Sequence, residues 1–299
     1  MDQKQRYQLI LDSELPPTFD QIVTDWYTPL SQEIAATKKE EPMVIGIQGA
    51  QGSGKSTLAS FVKNLLEEDF GLRTIDISLD DFYLGHIERR LLAANVHPLF
   101  ATRGVPGTHD INLAIATIQK LRSQKEGHIT AIPRFDKATD DRKPAREWDS
   151  VAGPVDVIIL EGWCVGATAE TADALAQPKN ELERNEDPKG IWRGYANDAL
   201  NGSYQSLFDL MDKLIVLAAP SFECVYEWRW LQEQKLVAKW SSENPHTSSR
   251  FLDEEDVKHF ISHYERLTRH CLATVETRAD WMLTLNTRHD ITGLTRRGD

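Results

Sequence analysis

The chain has 299 residues, of which 40% are hydrophobic and 27% charged, ordinary values for a globular protein. Its 46 acidic and 34 basic side chains leave a net charge of −12, which argues against a general nucleic-acid binder, because that function needs a concentrated basic surface. The apolar stretches are too short to span a bilayer, and the N-terminal MDQKQRYQLILDSELPP has neither the apolar core nor the cleavage site of a secretion signal.

Residues 1–42 are expected to form an N-terminal helical extension, with Phe19, Ile22, Val23, Trp26 and Tyr27 as its apolar face. Residues 43–299 are expected to form the main domain. Met43–Gln48 is an apolar run that reads as a buried strand, and Lys55–Phe70 carries Leu58, Phe61, Val62, Leu65 and Leu66 at helical spacing. A second strand is expected at Arg73–Ser78 and a helix at Ile111–Arg122 behind the cap Asp110. Val155–Leu160 is a third strand, and the polar, mixed stretch Ala167–Gly202 reads as a surface excursion. Lys213–Ala218 and Trp281–Asn286 are the remaining strands, with helices at Phe222–Trp240 and Asp253–Val275 between them. Strands rich in β-branched residues alternating with amphipathic helices predict an α/β fold, a five-stranded and mainly parallel sheet flanked by helices.

Cys164, Cys224 and Cys271 are far apart and lack metal-ligand spacing, so free thiols in a reducing cytoplasm are expected. His259 and His263 share a helix face four residues apart, but no Glu sits between them and no third ligand is evident. An amphipathic surface pair is the expectation there. The tryptophans between Trp228 and Trp240 are expected to serve core and lid packing.

The strongest signal is Gly49-Ala50-Gln51-Gly52-Ser53-Gly54-Lys55-Ser56, which satisfies GxxxxGK[ST] between a strand and a helix. Glycines let successive backbone N–H groups converge on phosphate oxygens, and the helix N-terminus adds partial positive charge. Gly49, Gln51, Gly52, Ser53, Gly54, Lys55, Ser56 and Thr57 are therefore the expected nucleotide-binding positions. Lys55 should reach the β- and γ-phosphates of ATP, and the Ser56 hydroxyl should bind Mg²⁺. A guanine-reading NKxD is absent, which argues against a GTPase switch.

Asp80 and Asp81 follow the second strand and Glu161 follows the third. In open α/β sheets ligands bind outside the carboxyl ends of the strands, so all three carboxylates belong to the phosphate edge. Glu161 is a candidate for the metal shell, and one of the Asp pair for a base on an acceptor hydroxyl. Asp156 begins its strand and so lies ~15 Å from Glu161, at about 3.3 Å per residue.

The glycine loop, SLDDFY, RGVPGTHD (Arg103–Asp110), IPRFDK (Ile132–Lys137), LEGW (Leu160–Trp163), Asn197–Tyr204 and the VYEWRWLQ of Val225–Gln232 occur in an order that resembles D-glycerate 3-kinase-like proteins. These are P-loop relatives of uridine kinase, pantothenate kinase and phosphoribulokinase, and the resemblance runs from about residue 43 to 286. It implies a P-loop NTPase fold with a lid helix, and a kinase that moves the γ-phosphate of ATP to a small-molecule hydroxyl acceptor. It implies Asp80 as the base and Arg229 as a lid arginine on the phosphates. Arg134 and Lys137 would bind acceptor, Arg142 resembles an arginine of uridine kinases, and Arg103 and His109 flank the loop that would cover the acceptor. The cations between Arg103 and Arg146 suit an acceptor carboxylate, which Arg pairs bidentately.

The expectation is a cytoplasmic ATP- and Mg²⁺-dependent kinase with D-glycerate as leading acceptor, a monomer or weak homo-oligomer with no nucleic-acid or membrane partner. A uridine- or pantothenate-type kinase is the nearest alternative. A nucleotide-gated binding protein with weak ATPase activity is the alternative from another class, though it has no use for an acceptor base.

Overall fold

The computed structural model describes residues 1–243 and 253–298, the side chains at 236 and 238–243 apart. Three helices open the chain, α1 (Gln3–Asp12), α2 (Phe19–Ile22) and α3 (Thr28–Thr37), with a π-helical turn at Val23–Tyr27. Next come β1 (Met43–Gly49), α4 (Lys55–Phe70), β2 (Thr74–Ser78), α5 (His86–Asn95) and α6 (Ile111–Arg122). Four short strands follow, β3 (Ile129–Ile132), β4 (Phe135–Asp136), β5 (Asp141–Arg142) and β6 (Asp149–Ala152). After β7 (Val157–Gly162) come the helices α7 (Ala172–Ala176), α8 (Glu181–Asn185), α9 (Ile191–Ala199) and α10 (Gln205–Phe208). The chain closes with β8 (Lys213–Ala218), the long helices α11 (Phe222–Glu243) and α12 (Glu254–Arg278), and the hairpin β9 (Trp281–Leu285) and β10 (Ile291–Arg296).

The main sheet has the order β10-β9-β8-β1-β7-β2. All its pairings are parallel except β9 with β10. The predicted five strands are present, but the sheet has six, and the count is corrected by β10. Its sequence ITGLTR holds a glycine and two threonines, and its side chains are half-buried or exposed. An antiparallel edge strand covered on one face needs no continuous apolar run, so nothing in the hydrophobic pattern marks it. By contrast β1 and β7 are buried along their whole length, which is why their apolar runs were legible.

Helix ends follow local chemistry. Gly71 terminates α4 at φ +64°, with its N–H bonded to the Glu67 carbonyl. The Asp110 carboxylate caps α6 by accepting from the Leu113 N–H at 3.0 Å. Asp253 caps α12 in a reciprocal pair with Asp256, and that helix runs past the predicted Val275 to Arg278.

One core joins Ile45, Ile47, Ile158 and Ile159 of the sheet to Leu58 and Phe61 of α4 and to Tyr27, Leu30 and Ile34 of the N-terminal helices. The Phe19 ring centroid lies 5.4 Å from that of Phe61, so the N-terminal segment packs directly on the helix that opens at the glycine loop.

Ala167–Gly202 is not a mere surface excursion, and the charge of its sequence is the reason it read as one. Arg266 of α12 is buried there, bonded to Glu183 at 2.7 Å and Glu170 at 3.0 Å. Buried Asp187 and Arg193 pair at 3.0 Å. Leu182 and Trp192 join Leu99, Phe100 and Val105 in a second small core. Buried charges are tolerated when paired, and the partner of Glu183 lies far along the chain. His263 also departs from the expected surface pair: it is buried, with Nδ1 3.1 Å from the His259 carbonyl, while His259 faces Glu186 at 2.9 Å. Trp228 is buried and donates to the Thr287 carbonyl at 3.0 Å; the Trp240 side chain lies outside the described residues. Among the described residues no helix is long and apolar enough to cross a membrane.

Strand register positions the site. Glu161 stands beside Ile47 on one side and Ser78 on the other, and Gly49 stands beside Leu217. The ends of three neighbouring parallel strands, β1, β7 and β2, therefore deliver the glycine loop, Glu161 and the Asp80 segment to one edge.

Candidate active site

The loop after β1 has the backbone that its glycines predict. Gly52 and Gly54 adopt φ +78° and +90°, left-handed values that L side chains resist. A Cβ on Gly52 would also come within 3.1 Å of the Trp228 Cβ. Lys55 is the first residue of α4, so the loop ends on a helix N-terminus whose N–H groups lack intrahelical partners.

Ser56 Oγ donates to Glu161 Oε1 at 3.2 Å, and Lys55 Nζ lies 4.0 Å from Glu161 Oε2. Glu161 Oε2 is buried without a hydrogen bond, as is Ser53 Oγ. A hydroxyl and a carboxylate oxygen at a phosphate-binding loop fit the hard cation Mg²⁺, which takes few protein ligands and completes its shell with water and phosphate. Among the described residues no group of three or more His, Cys, Asp or Glu could hold a metal by itself. The donor set thus fits an ion shared with a nucleotide.

Two cavities meet at Gly52. One, of about 480 Å³, is lined by Gln51, Lys55, Asp80, Tyr83, Arg103 and Lys137, and by Arg229, Gln232 and Glu233 of α11 and Phe260 and Tyr264 of α12. The other, of about 180 Å³, is bounded by Gly52, Ser53, Gly54 and Thr57, by Phe19 and Ile22 of the N-terminal segment, and by Leu285, His289 and Ile291. A larger cleft of about 660 Å³ opens among Lys39, Met43 and Lys213. It sits at the opposite ends of the strands, away from the glycine loop, and has none of this chemistry.

The two aspartates after β2 part ways. Asp80 lines the larger cavity, where Oδ2 accepts from Lys137 Nζ at 2.7 Å and Oδ1 from Tyr83 Oη at 3.1 Å. Asp81 turns to the β4–β5 hairpin, accepting from Arg134 at 2.6 Å and from the Phe135 N–H at 3.1 Å. Burial works to raise the Asp80 pKa, but the Lys137 and Lys55 charges outweigh it and hold the carboxyl below its ordinary value.

The sequence-predicted residues therefore divide. Lys55, Gln51, Gly52, Asp80, Arg103, Lys137 and Arg229 share one cavity wall. Arg103 pairs with Asp140, and Arg229 with Glu233 at 2.8 Å, its guanidinium 5.8 Å from the Phe260 ring centre. Arg134, Arg142 and His109 do not reach that wall. Arg134 is held between Asp81 and Asp149, the latter at 2.7 Å. Arg142 donates to the Tyr83 carbonyl at 3.0 Å and pairs with Asp110. His109 is buried behind Tyr83, stacked on its ring at 4.3 Å, with Nδ1 2.5 Å from Tyr204 Oη. Burial pushes its pKa down to about 4, so it is neutral at pH 7.

Sequence reasoning missed Tyr83, Trp163, Gln232, Glu233, Phe260 and Tyr264 as cavity residues. Tyr83 stood inside the SLDDFY segment and could have been taken with it. Phe260 and Tyr264 carried no signal, because their helical spacing reads equally well as core. The three cysteines are free and buried, and burial pushes the Cys164 thiol pKa well up, which suppresses the reactive thiolate.

A mainly parallel sheet with this loop at its central strand, and a carboxylate at the neighbouring strand end, is the architecture of a P-loop kinase. No protein-family model matches the chain. It is 32% identical over 232 residues to the uncharacterized kinase mug58 of Schizosaccharomyces pombe, covering 75% of this chain and 78% of that one. It is 30% identical over 231 residues to the chloroplastic D-glycerate 3-kinase of Arabidopsis thaliana, covering 75% of this chain and 46% of that longer one. The solved D-glycerate 3-kinase of Cryptococcus neoformans superposes with a TM-score of 0.73 at 25% identity, covering 94% of this chain and 99% of that one. The chain belongs to the D-glycerate 3-kinase-like family of P-loop kinases, which is related to uridine kinase.

Proposed function

We propose that the chain is an ATP- and Mg²⁺-dependent kinase whose acceptor is D-glycerate or a similar small hydroxy acid. The observation that carries this reading is the shared cavity wall, which brings the Asp80 carboxylate together with Lys55 of the glycine loop and with the cations Lys137 and Arg103. Relatives named as D-glycerate 3-kinases in a plant and a fungus support the same acceptor.

The loop amides and Lys55 would hold the β- and γ-phosphates, with the base of the nucleotide in the smaller cavity against Phe19, Leu285 and His289. Ser56 and Glu161 would hold Mg²⁺, which supplies charge neutralisation at the phosphates. Asp80 would orient the acceptor hydroxyl and accept its proton as the oxygen–phosphorus bond forms and the bond to the ADP oxygen breaks. A low-pKa base suits this reaction, because in a loose transition state the base positions the nucleophile more than it drives transfer. Arg103 and Lys137 would take the acceptor carboxylate, and Arg229 would stabilise charge on the moving group. A reducing cytoplasm suits the three buried free thiols.

The test is ADP release with MgATP and D-glycerate, uridine or pantothenate in turn, with the product located by NMR. Phosphate on the D-glycerate hydroxyl is the expected result. Phosphate found only on uridine or pantothenate would replace the acceptor, and hydrolysis indifferent to all three would remove the kinase reading.

A further inference from the structure

Among the described residues four cations line the larger cavity, and each faces a carboxylate. Lys55 stands 4.0 Å from Glu161, Arg229 2.8 Å from Glu233 and Lys137 2.7 Å from Asp80, and Arg103 pairs with Asp140. The Lys137–Asp80 pair is unlike the others in two respects. Its anion is the group offered above as the base. Its cation is the most exposed, at 61% of the side chain against 18% for Lys55, 28% for Arg103 and 20% for Arg229. A water-facing ion pair has little net strength and gives way to a competing anion.

The backbone beside Lys137 is anchored on both flanks. Asp81 accepts from Arg134 and from the Phe135 N–H before it, and Asp140 after it pairs with Arg89 at 2.7 Å and with Arg103. The flexible lysine stem can therefore swing without moving the hairpin. Asp80 keeps the Tyr83 hydroxyl at 3.1 Å, so it stays aimed at the cavity when the ammonium leaves.

We propose that Lys137 is a substrate-sensing lock on Asp80. The ammonium occupies the carboxylate until an acceptor arrives with a carboxylate of its own, which draws Lys137 away and leaves Asp80 to take the hydroxyl. The inference rests on the kinase reading and deepens it. Anionic acceptors become the class that the enzyme turns over, and neutral polyols are rejected in turnover as well as in binding. A carboxylate engaged by an ammonium has less capacity to accept from a hydroxyl. A three-carbon hydroxy acid presents both groups together, because its terminal hydroxyl and its carboxylate lie roughly 4–5 Å apart at ordinary bond lengths.

Lys137 and Lys55 are the cations that act most on Asp80, with Arg103, Arg229 and Glu233 on the same wall, while Tyr83, Tyr264, Cys164 and His109 are all kept neutral at pH 7 by burial. Loss of the Lys137 charge therefore has a defined sign: the carboxylate is less favoured and its pKa rises.

Lys137→Met keeps the stem without the charge, and Lys137→Arg keeps the charge. Acceptor-independent hydrolysis of MgATP is expected to rise about tenfold in Lys137→Met, as a freed base gains access to water, and to rise less in Lys137→Arg, which keeps the charge. Adding Asp80→Asn should abolish the rise. Turnover of glycerol should also increase about tenfold in Lys137→Met, while kcat/KM for D-glycerate falls by about tenfold or more with the lost charge-assisted bond. The acid limb of hydrolysis should move to higher pH. Unchanged or lower hydrolysis in a Lys137→Met protein that melts like wild type overturns the lock, whatever the acceptor is. Raised hydrolysis in that variant, with no D-glycerate turnover by the wild type, supports the lock and overturns the D-glycerate acceptor instead.

Discussion

The proposed phosphate loop keeps its groups in one unbroken stretch, Gly49–Thr57, whereas the rest of the larger cavity's wall draws Asp80, Arg103, Lys137 and Arg229 from four separate segments. The first would work largely through backbone N–H groups, whose positions follow from two left-handed glycines and a helix start. The second works through long side chains, and each of its cations already faces a carboxylate. Two further arginines that the sequence offered for the acceptor, Arg134 and Arg142, are committed to the hairpin that carries Lys137. A cluster of cations in sequence is thus an upper bound on the cations a ligand can meet, because the fold spends some of them on itself.

Substitutions can break that comparison. The largest loss is expected on the phosphate side: Lys55→Met should lower kcat/KM by about a thousandfold, measured as acceptor-dependent ADP release. Retention of more than a tenth of activity would remove Lys55 from the phosphates. Asp80→Asn should lower kcat by roughly a hundredfold or more with nucleotide affinity unchanged by calorimetry, and near-wild-type turnover would remove it as the base.

A third effect tests the layer behind the wall. His109 has a folded-state pKa of about 4, below the ~6.5 of an unfolded histidine. The unfolded chain therefore binds this proton first, and stability present above pH 6.5 is lost as pH falls toward 4. The loss from this residue is about 3 kcal/mol, read by urea unfolding across that window. His109→Phe should flatten the slope, and an equal slope in both proteins would show that the histidine is not buried neutral.

The finest test sets two arginines against each other. Arg103→Ala should raise the acceptor KM by about tenfold. Arg134→Ala should leave KM within about twofold and cost about 1 kcal/mol of stability, as its ion pairs are partly exposed. A reversed order would return Arg134 to the acceptor and Arg103 to the scaffold.

The legibility of the molecule follows the range of the interactions involved. The predicted strands, the third shifted by two residues so that Glu161 falls inside it, and the bounds of α4 and α6 were readable because periodicity, caps and glycine punctuation act within a few residues. The same holds for the glycine loop, which is one local motif. The strand β10 was not readable, because an edge strand is defined by its neighbour and not by its own apolarity.

The amino-acid order alone determined that this chain builds a mainly parallel α/β sheet, places a glycine loop at Gly49–Ser56 before a helix and carries acids at the adjacent strand ends. Tertiary structure decided which acid faces the cavity, Asp80 and not Asp81, and which cations line it, Arg103, Lys137 and Arg229 and not Arg134 or Arg142. It also folded the charged stretch Ala167–Gly202 around Arg266. The physical reason is common to all three. Backbone conformation is set by neighbours in the chain, while the fate of a charged side chain is set by the partner it meets in space, and charges attract without regard to sequence separation.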